Sequence, residues 1–437
     1  MNRTILKLAI PNILSNLTVP LLGIVDTALM GRLDDPKYLG AVGVGSMVLI
    51  VIYWGFGFLR MGTTGMTAQA FGANDKTQQM TLLGQALTVA WLGAAAILLL
   101  QYPIELIGFQ IIEGDPEVIQ LAKEYYGIRI WAAPATIGLY ALTGWFLGMQ
   151  KAQIPMILTI IVNILNVIGN FAFVYGFGMK SDGVALSTVI AQYVGLIVGL
   201  AIWMRHYRPL LQLLDRAKLV EPSGLKRFFT VNANIFVRTI LLTLAFSFFT
   251  AKSSAQDKTT LAANQILIQF FHMMAYAVDG FAFAAEALVG RYVGARDGRQ
   301  FRKALRYLFI WGCGFGAIFS LVYAVTGTHL LRLFTDQAET IAAAEVYLPW
   351  LIGFPIAAAT AFMWDGVYIG ATATVSMRNT MIVSFVIYLA TYYLTFPIWG
   401  NHGLWLSMLV FMVARSVTLT ILAPRQIWQL VPSSHPA

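Results

Sequence analysis

Apolar runs of about twenty residues or more, separated by short polar turns, recur from one end of the chain to the other. The pattern predicts helices over 8–31, 40–70, 81–110, 120–147, 153–176 and 183–205, then over 224–250, 259–290, 304–329, 340–370, 378–399 and 402–423. Each is long enough to cross about 30 Å of hydrocarbon, and a backbone in lipid must satisfy its own hydrogen bonds. The expected fold is an all-α polytopic membrane protein with twelve transmembrane helices. Pro11 and Pro20 fall inside the first run. Each removes a backbone donor and crowds the preceding turn, so this helix is expected to bend there.

Composition agrees with that reading and removes several classes of function. Of the 437 residues 58% are hydrophobic and only 11% charged, too few to coat a soluble protein of this size. The net charge of +9 could suggest a nucleic-acid partner, but the basic residues sit in short connections between apolar runs rather than on one folded face. Lys76, Lys151, Arg205, Arg208, Arg227, Arg299 and Lys303 fall on the side shared with both termini, and most loop acids, including Glu113, Asp115, Asp336 and Glu339, fall opposite. The positive-inside rule then predicts cytoplasmic termini. The opening residues lack a short cleavable signal pattern, so the first run is expected to stay as a membrane helix. The polar stretch around 205–226 divides the runs six and six, which predicts an N-lobe over 1–205, a cytoplasmic linker over 206–223 and a C-lobe over 224–437. That linker's basic character needs no partner beyond anionic lipid headgroups. Cys313 is the only cysteine, and the five histidines are scattered without zinc-ligand spacing. No Gly-rich loop ends in Gly-Lys-Ser or Gly-Lys-Thr. Neither an enzyme, nor direct ATP drive, nor a bound cofactor is expected.

The two halves repeat each other. Phe71-Gly72-Ala73-Asn74-Asp75 matches Val293-Gly294-Ala295-Arg296-Asp297 at a shift of 222 residues. Gly148 falls on Gly370 and Leu39 on Leu261 at the same shift, while Gly183 pairs with Gly403 at 220. An even number of helices per copy gives both copies the same membrane orientation. The expected relation is a pseudo-two-fold axis along the membrane normal, an arrangement suited to alternating access.

Four of the acids within the apolar runs are candidates for chemistry. Asp26 has no Lys or Arg within a helical turn, and such a group usually faces an internal cavity and marks a transport or proton path. The fifth run offers Asn163, Asn166 and Asn170, and the sixth Thr188, with Gln85 and Asn16 as further candidates for one polar chamber. A neutral amide bonds to a carboxylate in either protonation state but does not titrate. Asp279, Glu286 and Asp365 form a second candidate polar or proton site in the C-lobe, and Asp279 and Glu286, seven apart, share a helical face. Arg60 and Arg291 are expected to form structural ion pairs, Glu286 being the acid nearest in the pattern. Arg238 and Arg415 are the other deep basic residues.

These segments together resemble the multidrug and toxic compound extrusion (MATE) family of secondary transporters, in its bacterial DinF-like branch. The resemblance is carried by Pro20-Leu21-Leu22-Gly23-Ile24-Val25-Asp26-Thr27-Ala28, by Tyr53-Trp54-Gly55-Phe56-Gly57-Phe58-Leu59-Arg60-Met61-Gly62, by Asp279-Gly280-Phe281-Ala282 with Ala285-Glu286-Ala287-Leu288-Val289-Gly290, and by Asp365-Gly366 through Met377-Arg378-Asn379. It implies two six-helix bundles in a V-shaped antiporter of the bacterial inner membrane, working as a monomer without an obligatory protein partner. The cargo implied is amphipathic, often cationic, organic compounds, exported in exchange for H+ or Na+. It assigns cation coupling to Asp26, Asn166, Asn170 and Thr188, and first-helix bending to Pro11. Many relatives carry an aspartate where this chain has Asn170, so a second N-lobe carboxylate is missing. A lone carboxylate favours H+, while the amide oxygens of Asn166 and Asn170 leave Na+ open. The competing readings are a lipid-linked precursor flippase, disfavoured by the few deep basic residues, and a membrane-embedded aspartyl hydrolase using Asp279 and Asp365, disfavoured by the duplication.

Overall fold

In a computed structural model, described for residues 1–33, 35–219 and 221–431, the chain is helical almost throughout. Side chains at 19, 21, 216 and 217 are likewise outside the description, as are Val220 of the expected linker and the last six residues of the expected C-lobe. Twelve helices among the described residues are long and apolar enough to cross a membrane. They are α1 Asn2–Met30, α2 Lys37–Gly72, α3 Lys76–Leu99, α4 Pro116–Gly148, α5 Gln153–Gly176, α6 Ser181–Leu213, α7 Pro222–Ser254, α8 Lys258–Gly294, α9 Gly298–Phe334, α10 Ala338–Gly370, α11 Thr374–Trp399 and α12 Asn401–Leu430.

Three elements differ from the sequence pattern. The third run is not one helix over 81–110: α3 ends at Leu99, and Gln101–Gln110 forms a separate ten-residue helix. Pro103 sits in the first turn of that helix, where its missing N–H costs no intrahelical bond. Inside α2 the helix is interrupted at Phe56, between Gly55 and Gly57, where two residues without Cβ weaken the helical preference. The last turn of α5, Ala172–Gly176, widens to π geometry two residues after Asn170. Through Pro11 and Pro20, α1 stays helical over its whole length.

The 222-residue repeat is written in the backbone. Among the described residues four non-glycine residues have positive φ, and they form two pairs at that shift: Asn74 (59°) with Arg296 (52°), and Gln150 (63°) with Thr372 (54°). Each first-pair residue ends a helix and precedes an aspartate N-cap, Asp75 accepting from Gln78 N and Asp297 from Gln300 N, both at 2.9 Å. Helix contacts repeat as well. A Cβ at Gly144 would collide with the Arg60 carbonyl, and one at Gly366 with the Ala282 carbonyl, each member 222 residues from its counterpart. The α2–α4 crossing and the α8–α10 crossing are therefore the same backbone-to-backbone approach, made twice.

Contacts divide the chain into two compact units. One contains Met1–Ile13, Ala68–Asn74 and Thr230–Ala437; the other contains Leu14–Thr67 and Asp75–Phe229. In the first, α8, α9, α10 and α12 pack around buried Phe249, Phe271, Phe354, Tyr388 and Trp405. Asn264 in this core has its whole amide paired. Asn264 donates to Ser253 Oγ and Asn401 Oδ1, both at 2.8 Å, while its own oxygen accepts from Asn401 and Trp405. In the second unit α5 lies against α6, and α4 against α2, α3 and α6.

Candidate functional site

Asp26, Asn170, Asn166 and Thr188 come together in one hydrogen-bonded chain. The α5 positions 166 and 170 are one helical turn apart, so both amides face the same way. Asn170 Nδ2 donates to Asp26 Oδ1 at 2.6 Å and to Asn166 Oδ1 at 3.1 Å. Asn166 Nδ2 donates to Thr188 Oγ1 at 2.7 Å, and that hydroxyl donates to the Val184 carbonyl at 3.0 Å. Ser187 Oγ fixes the α5 backbone by donating to the Asn166 carbonyl at 2.7 Å. Asn166, Asn170 and Thr188 are buried, whereas Asp26 is half-buried and so retains access. The Asn170 side-chain oxygen is buried without a hydrogen-bond partner among the described residues.

The third amide works separately. Asn163 Nδ2 donates to Thr18 Oγ1 at 2.8 Å, tying α5 to α1 below the Asp26 cluster. Gln85, expected in the same chamber, is not bonded into it: its amide reaches the Leu219 carbonyl at 3.4 Å. Its position on α3 points it towards the polar stretch after α6. Arg129 is the residue that sequence reasoning missed. It lies in α4, close enough to act electrostatically on Asp26, with its guanidinium 5.9 Å from the centre of the Tyr53 ring and its carbonyl accepting from the Tyr53 hydroxyl at 3.3 Å. A basic residue inside the fourth apolar run was the available signal.

The C-lobe acids do not share one arrangement. Asp365 in α10 is buried, and its Oδ2 accepts from Nη2 of both Arg238 in α7 and Arg415 in α12, the latter at 2.5 Å. The Arg415 guanidinium also stands 5.5 Å and 5.8 Å from the rings of Phe411 and Phe362. Two buried guanidinium groups on one carboxylate make an ion triad that bonds three helices together. Asp279 is half-buried and acts electrostatically on Arg415, and Glu286 is buried. Arg291 stands over the rings of Phe71 and Tyr292, both at 5.7 Å. No group of three or more His, Cys, Asp or Glu residues that could hold a metal ion occurs among the described residues.

Two segments of this chain, residues 11–172 and 235–394, match the MatE family model, one in each copy of the repeat. The chain belongs to the MATE family. Over 422 residues it is 37% identical to DNA damage-inducible protein F of Escherichia coli (strain K12), covering 96% of this chain and 91% of that protein. It is also 25% identical over 421 residues to the probable multidrug resistance protein NorM of Bacillus cereus, covering 92% and 90%. Among solved structures, the Vibrio cholerae MATE transporter VcmN in the bent form superposes with a TM-score of 0.87 at 20% identity, covering 98% and 97% of the two chains. That likeness establishes the twelve-helix fold. This MATE protein is a multi-pass secondary active efflux transporter, and its buried polar clusters belong to a carrier rather than to an enzyme.

Proposed function

We propose that this transporter exports amphipathic, often cationic, organic compounds in exchange for H+, with Asp26 as the coupling group. The observation carrying the proposal is the chain Asp26–Asn170–Asn166–Thr188, which supplies one carboxylate and otherwise only neutral partners. An amide serves either state of that carboxylate. Its N–H donates to the ionised form, and after rotation of the amide its oxygen accepts from the protonated form. Asp26 can therefore exchange a proton without a second acid beside it. Proton and cationic cargo then compete for one charge: protonation from outside favours cargo release, and deprotonation inside favours loading. Being half-buried fits a group reached from solvent during part of the cycle. The multidrug name carried by the Bacillus cereus relative supports the cargo class.

Na+ exchange is the second reading, favoured by the buried, unpaired oxygen of Asn170 beside Asp26. Against it stands the lone carboxylate of the chain, since one oxygen is enough to carry a proton whereas Na+ is held by several. In this proposal Pro11 and Pro20 let α1 bend as Asp26 changes state, the ion triad at Asp365 is structural, and Asp279 and Glu286 are not required for coupling. Arg60 and Arg291 keep structural roles. The lobes are 1–205 and 224–437, joined by 206–223. The carrier works as a monomer in a bacterial inner membrane with both termini cytoplasmic, and it requires no cofactor. A flippase has less support, because the deep arginines of the C-lobe are engaged by Asp365.

The test is efflux of a fluorescent cationic compound from proteoliposomes, with a pH gradient and a Na+ gradient imposed separately. Drive by the pH gradient alone is expected. Drive by Na+ alone would replace the first reading with the second, and transport under neither gradient would remove both.

A further inference from the structure

The strongest unassigned feature lies on α9. Arg299, Arg302, Lys303 and Arg306 are all exposed, and steps of three and four residues put them on one face of its first turns. None forms an ion pair or hydrogen bond among the described residues, and α9 contains no acid at all. The carboxylate that immediately precedes α9 in the chain, Asp297, is engaged in capping Gln300 N. Four uncompensated cations in the first turns of a helix oppose its macrodipole, so the arrangement is stabilised by an anion supplied from outside the chain.

The same face identifies that anion. Continuing along it, Lys303 leads in seven-residue steps to Ile310 and Ala317, and Ile310 leads in an eleven-residue step, close to three whole turns, to Leu321; all are exposed. Ile310 is 55% and Leu321 64% exposed, as expected for side chains that meet hydrocarbon. From Arg306 to Ile310 the helix rises about 6 Å, the spacing at which charge gives way to apolar surface on one continuous stripe. A basic patch running directly into an exposed apolar track has the polarity of a single lipid molecule lying along the helix. Trp311 marks the boundary: its indole N–H donates to Asn2 Oδ1 at 3.2 Å, bringing the start of α1, with exposed Arg3, to the same level.

We propose that α9 is the docking site of an anionic diacyl phospholipid, its phosphate held by Arg299, Arg302, Lys303 and Arg306 and an acyl chain lying along Ile310, Ala317 and Leu321. Soluble phosphate cannot use the apolar track, and a zwitterionic lipid cannot neutralise the patch. The site is separate from Asp26 and independent of the coupling ion.

The full chain, purified in uncharged detergent, is titrated with phosphatidylglycerol, phosphatidylcholine or inorganic phosphate. Retained lipid is read by native mass spectrometry and the unfolding midpoint by heating. Phosphatidylglycerol is expected to be retained preferentially and to raise the midpoint. Removing positive charge should weaken its retention by about fivefold for each side chain neutralised. The quadruple variant R299Q/R302Q/K303Q/R306Q loses the preference, whereas the control K258Q/R332Q, at the exposed start of α8 and the exposed far end of α9, keeps it. Should the quadruple variant not fold, R302Q/R306Q is expected to give a partial loss. An unchanged phosphatidylglycerol preference in the α9 variants, equal loss in the control, or an equal midpoint shift with inorganic phosphate overturns the assignment.

Discussion

Asp26 and Asp365 are both aspartates inside apolar helices, and their neighbours give them opposite properties. A neutral amide, that of Asn170, donates to Asp26, while two guanidinium groups donate to Asp365 and make it the centre of an ion triad. Replacing Asp365 with Asn leaves buried positive charge uncompensated, and a loss of about 3–5 kcal/mol is expected, read as a lower unfolding midpoint in detergent. The coupling ion should be unchanged in whatever protein folds. At this scale the sequence was readable where an acid stood alone in an apolar run, which is how Asp26 and the amides of α5 stood out. It was silent where meaning depended on partners far along the chain. Asp365 gained its role from Arg238, 127 positions earlier, and Arg415, 50 later. Gln85 had the right chemistry and the wrong neighbours.

Among elements, the close crossings decide what can change. Gly72 near the end of α2 and Gly294 at the end of α8 have no room for a side chain: a Cβ at the first collides with the Arg291 carbonyl, and at the second with the Gln69 carbonyl. Gly72→Ala or Gly294→Ala should each cost about 1–3 kcal/mol through backbone displacement. Gly314 in α9 has nothing within 4 Å of its would-be Cβ, and Gly314→Ala should be neutral or stabilising by about 0.5–1 kcal/mol. Thermal unfolding of the three variants side by side checks the contrast. The start of α8 is pH-sensitive in a defined direction. The Thr260 hydroxyl and backbone N–H bond the capping carboxylate of Asp257 and hold it below the usual carboxylate range. A depressed native value means that the cap contributes above the unfolded pKa and is lost as pH falls through the folded one. Amide exchange at the first turn of α8 should rise on acidification in that range, and Asp257→Asn, which caps without titrating, should remove the dependence. The break at Leu100 was hidden because an apolar run does not record where a helix stops and restarts.

Across the whole molecule, the repeat connects sequence to function. Helix number and the 222-residue shift were legible because lipid imposes a length on every span and duplication left short motifs in place. The shift reappears in paired left-handed residues, paired aspartate caps and paired glycine crossings. The copies differ in chemistry: α5 of the first carries the amides around Asp26, while the second encloses an ion triad. On the present account that asymmetry makes only the first copy responsive to protons. The most direct test loads proteoliposomes with a fluorescent cationic compound, imposes a pH gradient without Na+, and compares wild type, Asp26→Asn and Asp279→Asn for efflux and for binding of the same compound. Asp26→Asn is predicted to bind the compound yet lose gradient-driven efflux, with Asp279→Asn close to wild type. Gradient-driven efflux that survives in Asp26→Asn would contradict the assignment of coupling to this carboxylate.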